Sequence, residues 1–231
     1  MILPIDINKA FDELFSATKF KNLLILGSKL YYKIITISII HKNLRTEEFW
    51  EKYRTENKVL IRELSESNLD EKIDEFWEKF SIENKCITIE RSQKYIYWRF
   101  VQDPVIPHKV FVCERNGDIT ATVVINILQG DTAANIVDIV GLERYENDLH
   151  FLLLHVIQIL RNKGVTVIET WFSKNEHSKK YVQILKKCKF LSIPIKKRLH
   201  LIVKILNQDL NENIIYDMDN WYITMAFTEG V

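Results

Sequence analysis

Asp138 stands in the middle of an apolar run, ANIVDIV (134–140). Burial there would raise a carboxylate's pKa toward that of a useful general base. The other reading of the same residue is a carboxylate held by backbone or hydroxyl donors. Glu169, in VTVIETWF (165–172), is a further carboxylate in an apolar run. Directly after the first run comes GLERYEND (141–148), leading into the apolar helix LHFLLLHVIQIL (149–160). A loop at this place, between a strand and a helix N-terminus, is where many α/β proteins cradle a phosphate. It holds one glycine, Gly141, and three acids, Glu143, Glu146 and Asp148. Acids suit a helix N-terminus that stands alone and oppose one that must hold an anion.

Other patterns point nowhere sharper. His150 and His155 are five apart on one helix and so do not share a face at metal-ligand spacing. The sequence has no HExxH, no Cys/His cluster and no P-loop, so no metal site is expected. KKYVQILKKCK (179–189) is a basic helix edge that suits a phosphate or simply water. The formal net charge of the 231 residues is +1, which gives no global attraction to nucleic acid, and no nucleic-acid partner is expected. Cys86, Cys113 and Cys188 form no CxxC pair, and such a sparse, odd count suggests reduced thiols in a cytoplasmic setting. No cleavable signal is evident in MILPIDINKAFDE. The apolar stretch 23–40 carries Lys29 and Lys33 near where a bilayer centre would lie, at a cost of roughly 2.5–3.5 kcal/mol each, and is not read as transmembrane.

The elements that must position these groups are legible from periodicity. Residues 19–45 are basic and acid-free, with Phe20, Leu23, Leu24, Leu30, Tyr31 and Ile34 at helical spacing. They suit either a helix at a membrane surface or partner, or one packed on the main domain. Thr46 with Glu47 and Glu48 predicts a helix start, and VLIREL (59–64) a strand. Asn68 with Glu71 predicts a capping box for a helix carrying Leu69, Ile73, Phe76, Trp77 and Phe80. SQKYIYWRFV (92–101) predicts a second helix, stopped before Pro104. KVFVCE (109–114) and ITATVVINIL (119–128) flank Asn116-Gly117, a hairpin signal. After the strand 134–140 and its helix, Gly164 marks the stop and 165–172 a buried strand. Ser173 with Glu176 predicts a capping box for a helix carrying Tyr181, Ile184, Leu185 and Cys188, and strands close the chain at 199–206 and 221–227.

This order over residues 58–231 resembles the GNAT superfamily of acyl-CoA-dependent N-acetyltransferases. YIYWRFVQDP (95–104) and WYIT (221–224) are similar to a bacterial subgroup found with cell-surface polysaccharide genes, whose members carry two GNAT-like halves. The resemblance implies an α+β, three-layer fold: a mixed, mostly antiparallel twisted sheet flanked by helices over 58–231, with 1–57 as an N-terminal helical appendage or connector. It implies acetyl-CoA or a related acyl donor, and a small-molecule or saccharide amine as acceptor. The family's [Q/R]-x-x-G-x-[G/A] loop maps onto Arg144, Asn147 and Leu149, with Leu152-Leu153 as its paired leucines and Val140, Gly141 and Leu142 alongside. Asn147 and Leu149 fall on the glycine positions. The family's proposed general acid, a tyrosine, would fall at Leu185, with Tyr181 one helical turn earlier as the candidate. The end of the strand that holds Asp138 faces the acyl-thioester in the family. The alternative is a GNAT-fold scaffold or binding module without CoA.

Overall fold

The computed structural model describes residues 1–4, 47–128, 130, 132–192, 201–207 and 209–228. The helix expected over 19–40 lies outside them.

Six strands form one mixed sheet in the order β1-β6-β5-β4-β3-β2. These are β1 (Ile2–Pro4), β2 (Val59–Leu64), β3 (His108–Arg115), β4 (Asp118–Ile127), β5 (Ala133–Gly141) and β6 (Val167–Glu169). The β2–β3, β3–β4 and β4–β5 pairs are antiparallel, as is β1–β6. The β3–β4 turn is the expected one: Asn116 and Gly117 both have positive φ, 54° and 90°, the conformation that Asn-Gly supplies to a two-residue hairpin turn. β5 and β6 are parallel, in register from Ala133↔Val167 to Asn135↔Glu169. The crossover between them is a helix, as a parallel pair requires. Beyond Asn135 the two strands no longer pair, and on that side β5 meets side chains instead, the Thr170 hydroxyl donating to the Ile136 carbonyl (2.9 Å).

Helices cover both faces of this sheet. α1 (Glu47–Asn57), α4 (Glu146–Asn162) and α5 (Glu176–Lys187) pack on one core, with Trp50, Leu152, Val156 and Tyr181 buried among Val123, Ile136 and Ile139. α2 (Lys72–Glu83) and α3 (Gln93–Ile96) pack on the other, with Phe76, Phe80 and Phe100 against Val110, Val124 and Val137. α6 (Glu212–Tyr216) is a short exposed helix. The fold is thus the α+β, three-layer arrangement of a mixed, mostly antiparallel sheet flanked by helices that the sequence implies. Residues 1–57, expected as a helical appendage, contribute β1 to the sheet and α1 to the core.

Several local expectations are corrected. The 92–101 helix becomes α3 followed by a π-helix, Tyr97–Val101. Residues 201–206 form no strand and are largely exposed, with Ile202 and Leu206 in water; the edge beside β6 is taken by β1. Residues 221–227 make only two bridges, Ile87↔Trp221 and Phe172↔Thr224, before Thr224 accepts a bond from the Ala226 amide (3.4 Å) and caps a 3₁₀ turn. Neither expected capping box forms. Asn68 instead bonds the amide of Ser65 and the carbonyl of Glu63. Asn175, with Ser178, caps α5, while Ser173 bonds the backbone of Trp221 and Ile223.

Candidate functional site

The free edge of β5 is the natural place for a ligand, because strand carbonyls and amides there lack a neighbouring strand. A bulge shapes it. Val124 pairs with Asp138 but Ile125 pairs with Ile136, so Val137 is an extra residue on β5. Bulges re-aim side chains beside sites. Here the alternation of faces breaks: Ile136 and Ile139 join one core, Val137 and Val140 the other.

Asp138 is fully buried and held from three directions. Arg91 meets it with Nε (2.7 Å to Oδ2) and Nη2 (3.0 Å to Oδ1), and the Thr224 hydroxyl donates to Oδ1 (2.7 Å). Arg91 lies between the rings of Trp77 and Tyr222 and also donates to Thr88. Burial works against the Arg91 charge, but the Asp138 carboxylate overcomes it and raises the pKa of the guanidinium. Asp138 is therefore the held carboxylate of the two expected readings, with an arginine as its main donor. Sequence reasoning missed Arg91; a buried acid needs a cation, but no spacing rule says which of the 32 basic residues supplies it.

At the far end of β5 sit the two buried tyrosines. The Tyr222 hydroxyl donates to the Ile139 carbonyl (2.6 Å), using an acceptor that a ligand at this edge would seek. Tyr181 stacks on Tyr222 at 4.9 Å, and its hydroxyl has no hydrogen-bond partner among the described residues. The Gly141 amide works against the rise in the pKa of that hydroxyl that burial causes. Burial raises the pKa of both tyrosines, so both stay protonated at neutral pH. Glu169 ends β6, where its Cα faces Asn135 on one side and Ile2 on the other, three residues along β5 from Asp138. The structure thus brings Tyr181 and Asp138 to one strand edge, and sets Glu169 at the point where that edge begins to open.

The loop after β5 is a 3₁₀ turn, Glu143–Tyr145, running straight into α4. Val140, Gly141 and Leu142 are buried, Arg144 and Asn147 are exposed, and Leu149 is buried. Arg144 lies over the Tyr145 ring at 4.7 Å. Asn147 is helical rather than left-handed. The Leu149 side chain sits over Gly141, so close that a Cβ there would meet it at 3.0 Å. Asp148 is buried, clamped by Arg115 (Nε to Oδ2, 2.9 Å) and by the Thr120 hydroxyl (2.9 Å). Glu146 pairs with Lys187. Three loop amides have partners inside the chain: Leu142 donates to the Thr120 carbonyl (3.0 Å), Glu143 to the Glu83 carboxylate (2.9 Å) and Tyr145 to the Leu142 carbonyl (3.1 Å). A CoA diphosphate needs free amides and free cations at this helix start. At Leu142, Glu143 and Tyr145 the amides are not free to supply this.

A pocket of about 330 Å³ opens beside this region, lined by Trp77, Asn84, Cys86, Thr88 and Asn220 among others. Lys180 reaches its wall at Asn84 (2.8 Å), and burial lowers its pKa. Burial raises the Cys86 thiol and pushes Cys113 and Cys188 up to about 12, so none is an activated nucleophile. Among the described residues no helix is long and apolar enough to cross a membrane.

No family model matches the chain. No curated protein matches it. Solved structures similar to it include an aminoglycoside acetyltransferase from an uncultured soil metagenomic sample, 16% identical over 64% of this chain and 99% of that one, with a TM-score of 0.49. A tandem GNAT protein from the clavulanic acid biosynthesis pathway is 13% identical over 55% of this chain and 43% of that one, at 0.44. An acetyltransferase of the GNAT family from Streptococcus pneumoniae is 19% identical over 58% and 84%, at 0.42.

Proposed function

We propose that this protein transfers an acyl group from a thioester to an amine at the open edge of β5. The observation that carries the reading is the Tyr181 hydroxyl, buried and without a hydrogen-bond partner among the described residues, stacked on Tyr222 where β5 has left β6. Unsatisfied buried donors are costly and mark places where an acceptor is missing. A thioester carbonyl brought within reach of the hydroxyl would supply that acceptor. The amine nitrogen attacks this carbon, the C–N bond forms and the C–S bond breaks. Tyr181 gives its proton to the departing thiolate and takes one back from the attacking nitrogen. The Arg91–Asp138 pair holds the bulge in place beside this centre. Acetyl-CoA is the donor that the family resemblance implies, but no step is drawn through its diphosphate. The acceptor is a small-molecule or saccharide amine, in line with the polysaccharide-associated subgroup whose motifs the sequence resembles.

A second reading, a GNAT-fold binding or scaffold protein, rests on one observation: the Tyr222 hydroxyl already occupies the Ile139 carbonyl. Transfer assays with acetyl thioesters and a panel of amines and amino sugars separate the two. Acyl transfer is expected to fall about 10²-fold or more in Tyr181→Phe, within the range for general acid–base catalysis. Turnover indifferent to Tyr181→Phe, or no turnover with any acceptor, contradicts the first reading.

A further inference from the structure

We infer that the start of α4 serves as a closed structural joint, so that the donor is a thioester read without a diphosphate; this deepens the acyl-transfer reading and rests on it. Three facts converge. The backbone amides that a diphosphate would need at Leu142, Glu143 and Tyr145 are all spent within the chain. Glu83, reaching over from the end of α2, puts its carboxylate at Glu143 and stands where an anionic ligand would stand. The nearby cations are engaged as well: Arg115 by Asp148, Lys187 by Glu146, and Arg144 by the Tyr145 ring.

Opening this joint for a ligand would do more than move a surface side chain. Leu149 fills the space over Gly141, and Asp148 is tied to β3 and β4 through Arg115 and Thr120. A diphosphate would also meet the Glu83, Glu143 and Glu146 carboxylates at one helix end. The joint instead bonds α2, the β5 end and α4 to one another. The part of a donor that this edge does accept is its acyl-thioester end.

Two measurements on the full chain test this. Acetyl-CoA and the acetyl thioester of N-acetylcysteamine, which has no diphosphate, are compared as donors, and kcat/KM values within about threefold of each other are expected. A preference for acetyl-CoA beyond about a hundredfold, what two charge-assisted hydrogen bonds are worth, would overturn the inference. Independently of turnover, amide spectra are followed while ADP is added to millimolar concentration. Amides 141–149 are expected to stay where they are. The Glu143 amide should be protected from exchange, and should lose that protection in Glu83→Ala. Shifts across 141–149 on adding ADP, or an unprotected Glu143 amide in the parent chain, would overturn the closed joint even if no acyl transfer is found. An inactive protein that passes the amide test would sink the acyl-transfer reading alone.

Discussion

Two buried aspartates sit at the two ends of the same chain segment, and each is held by the same kind of clamp. Asp138, on the β5 bulge, has Arg91 and Thr224; Asp148, in the first turn of α4, has Arg115 and Thr120. The clamps differ in where the cation lives. Arg91 is 3% exposed and lies between two aromatic rings, whereas Arg115 is 22% exposed beside Tyr145. A charge left behind by Arg91 or Asp138 has no water to go to. One left behind at Arg115 does. The first clamp joins the 84–92 segment, the sheet and the C-terminal segment; the second joins the sheet to a helix start, where a carboxylate is already welcome.

Breaking the inner clamp should therefore cost most. Arg91→Ala strands the Asp138 carboxylate, and a loss of about 3–5 kcal/mol is expected in urea unfolding. Arg91→Met with Asp138→Leu removes both charges and should recover most of that loss; a double variant as unstable as the single one would show that the charges themselves were not the issue. Asp148→Ala should cost less, about 1–3 kcal/mol, because Arg115 can turn to solvent. If Arg91→Ala and Asp148→Ala cost the same, the difference in exposure has no energetic meaning.

A third test uses pH. The folded pKa of Tyr181 and Tyr222 lies above the unfolded value near 10, so the folded chain binds more protons in alkali. Their contribution is fully present below pH 10 and is lost as pH rises above it. Tyr222→Phe and Tyr181→Phe should each flatten the fall in stability above pH 10, measured as thermal midpoints across the alkaline range. The smallest effect belongs to Glu83→Ala. Its bond to Glu143 is exposed, and a change of a few tenths to about 1 kcal/mol is expected.

The sheet was legible because its signals are local. Asn116-Gly117 demands positive φ, and apolar runs of five to eight residues flanked by turn residues leave little choice but strands. Asp138 was legible as a misfit for the same reason. Its partner was not, because Arg91 is 47 residues away and joined to it only by the tertiary fold. That the loop is poor in glycine and rich in acid is plain in the sequence. That its amides are consumed by Thr120, Glu83 and its own turn depends on which elements meet there, which no local pattern records. The expected capping boxes failed on competition: Asn68 is taken by Ser65 and Glu63, and Ser173 by Trp221 and Ile223, so that Asn175 caps α5 instead. The strand expected at 199–206 failed in its described part because β-propensity does not say whether a sheet edge is free, and β1 takes the one beside β6.

The most direct test of the account is a calorimetric titration of the unmodified chain with acetyl-CoA, alongside Arg144→Ala. The closed start of α4 predicts no saturable heat below millimolar concentration for either protein, since Arg144 lies on Tyr145 and the Leu142, Glu143 and Tyr145 amides are spent. Saturable micromolar binding that Arg144→Ala abolishes would contradict it, and would make GLERYEND a working cradle.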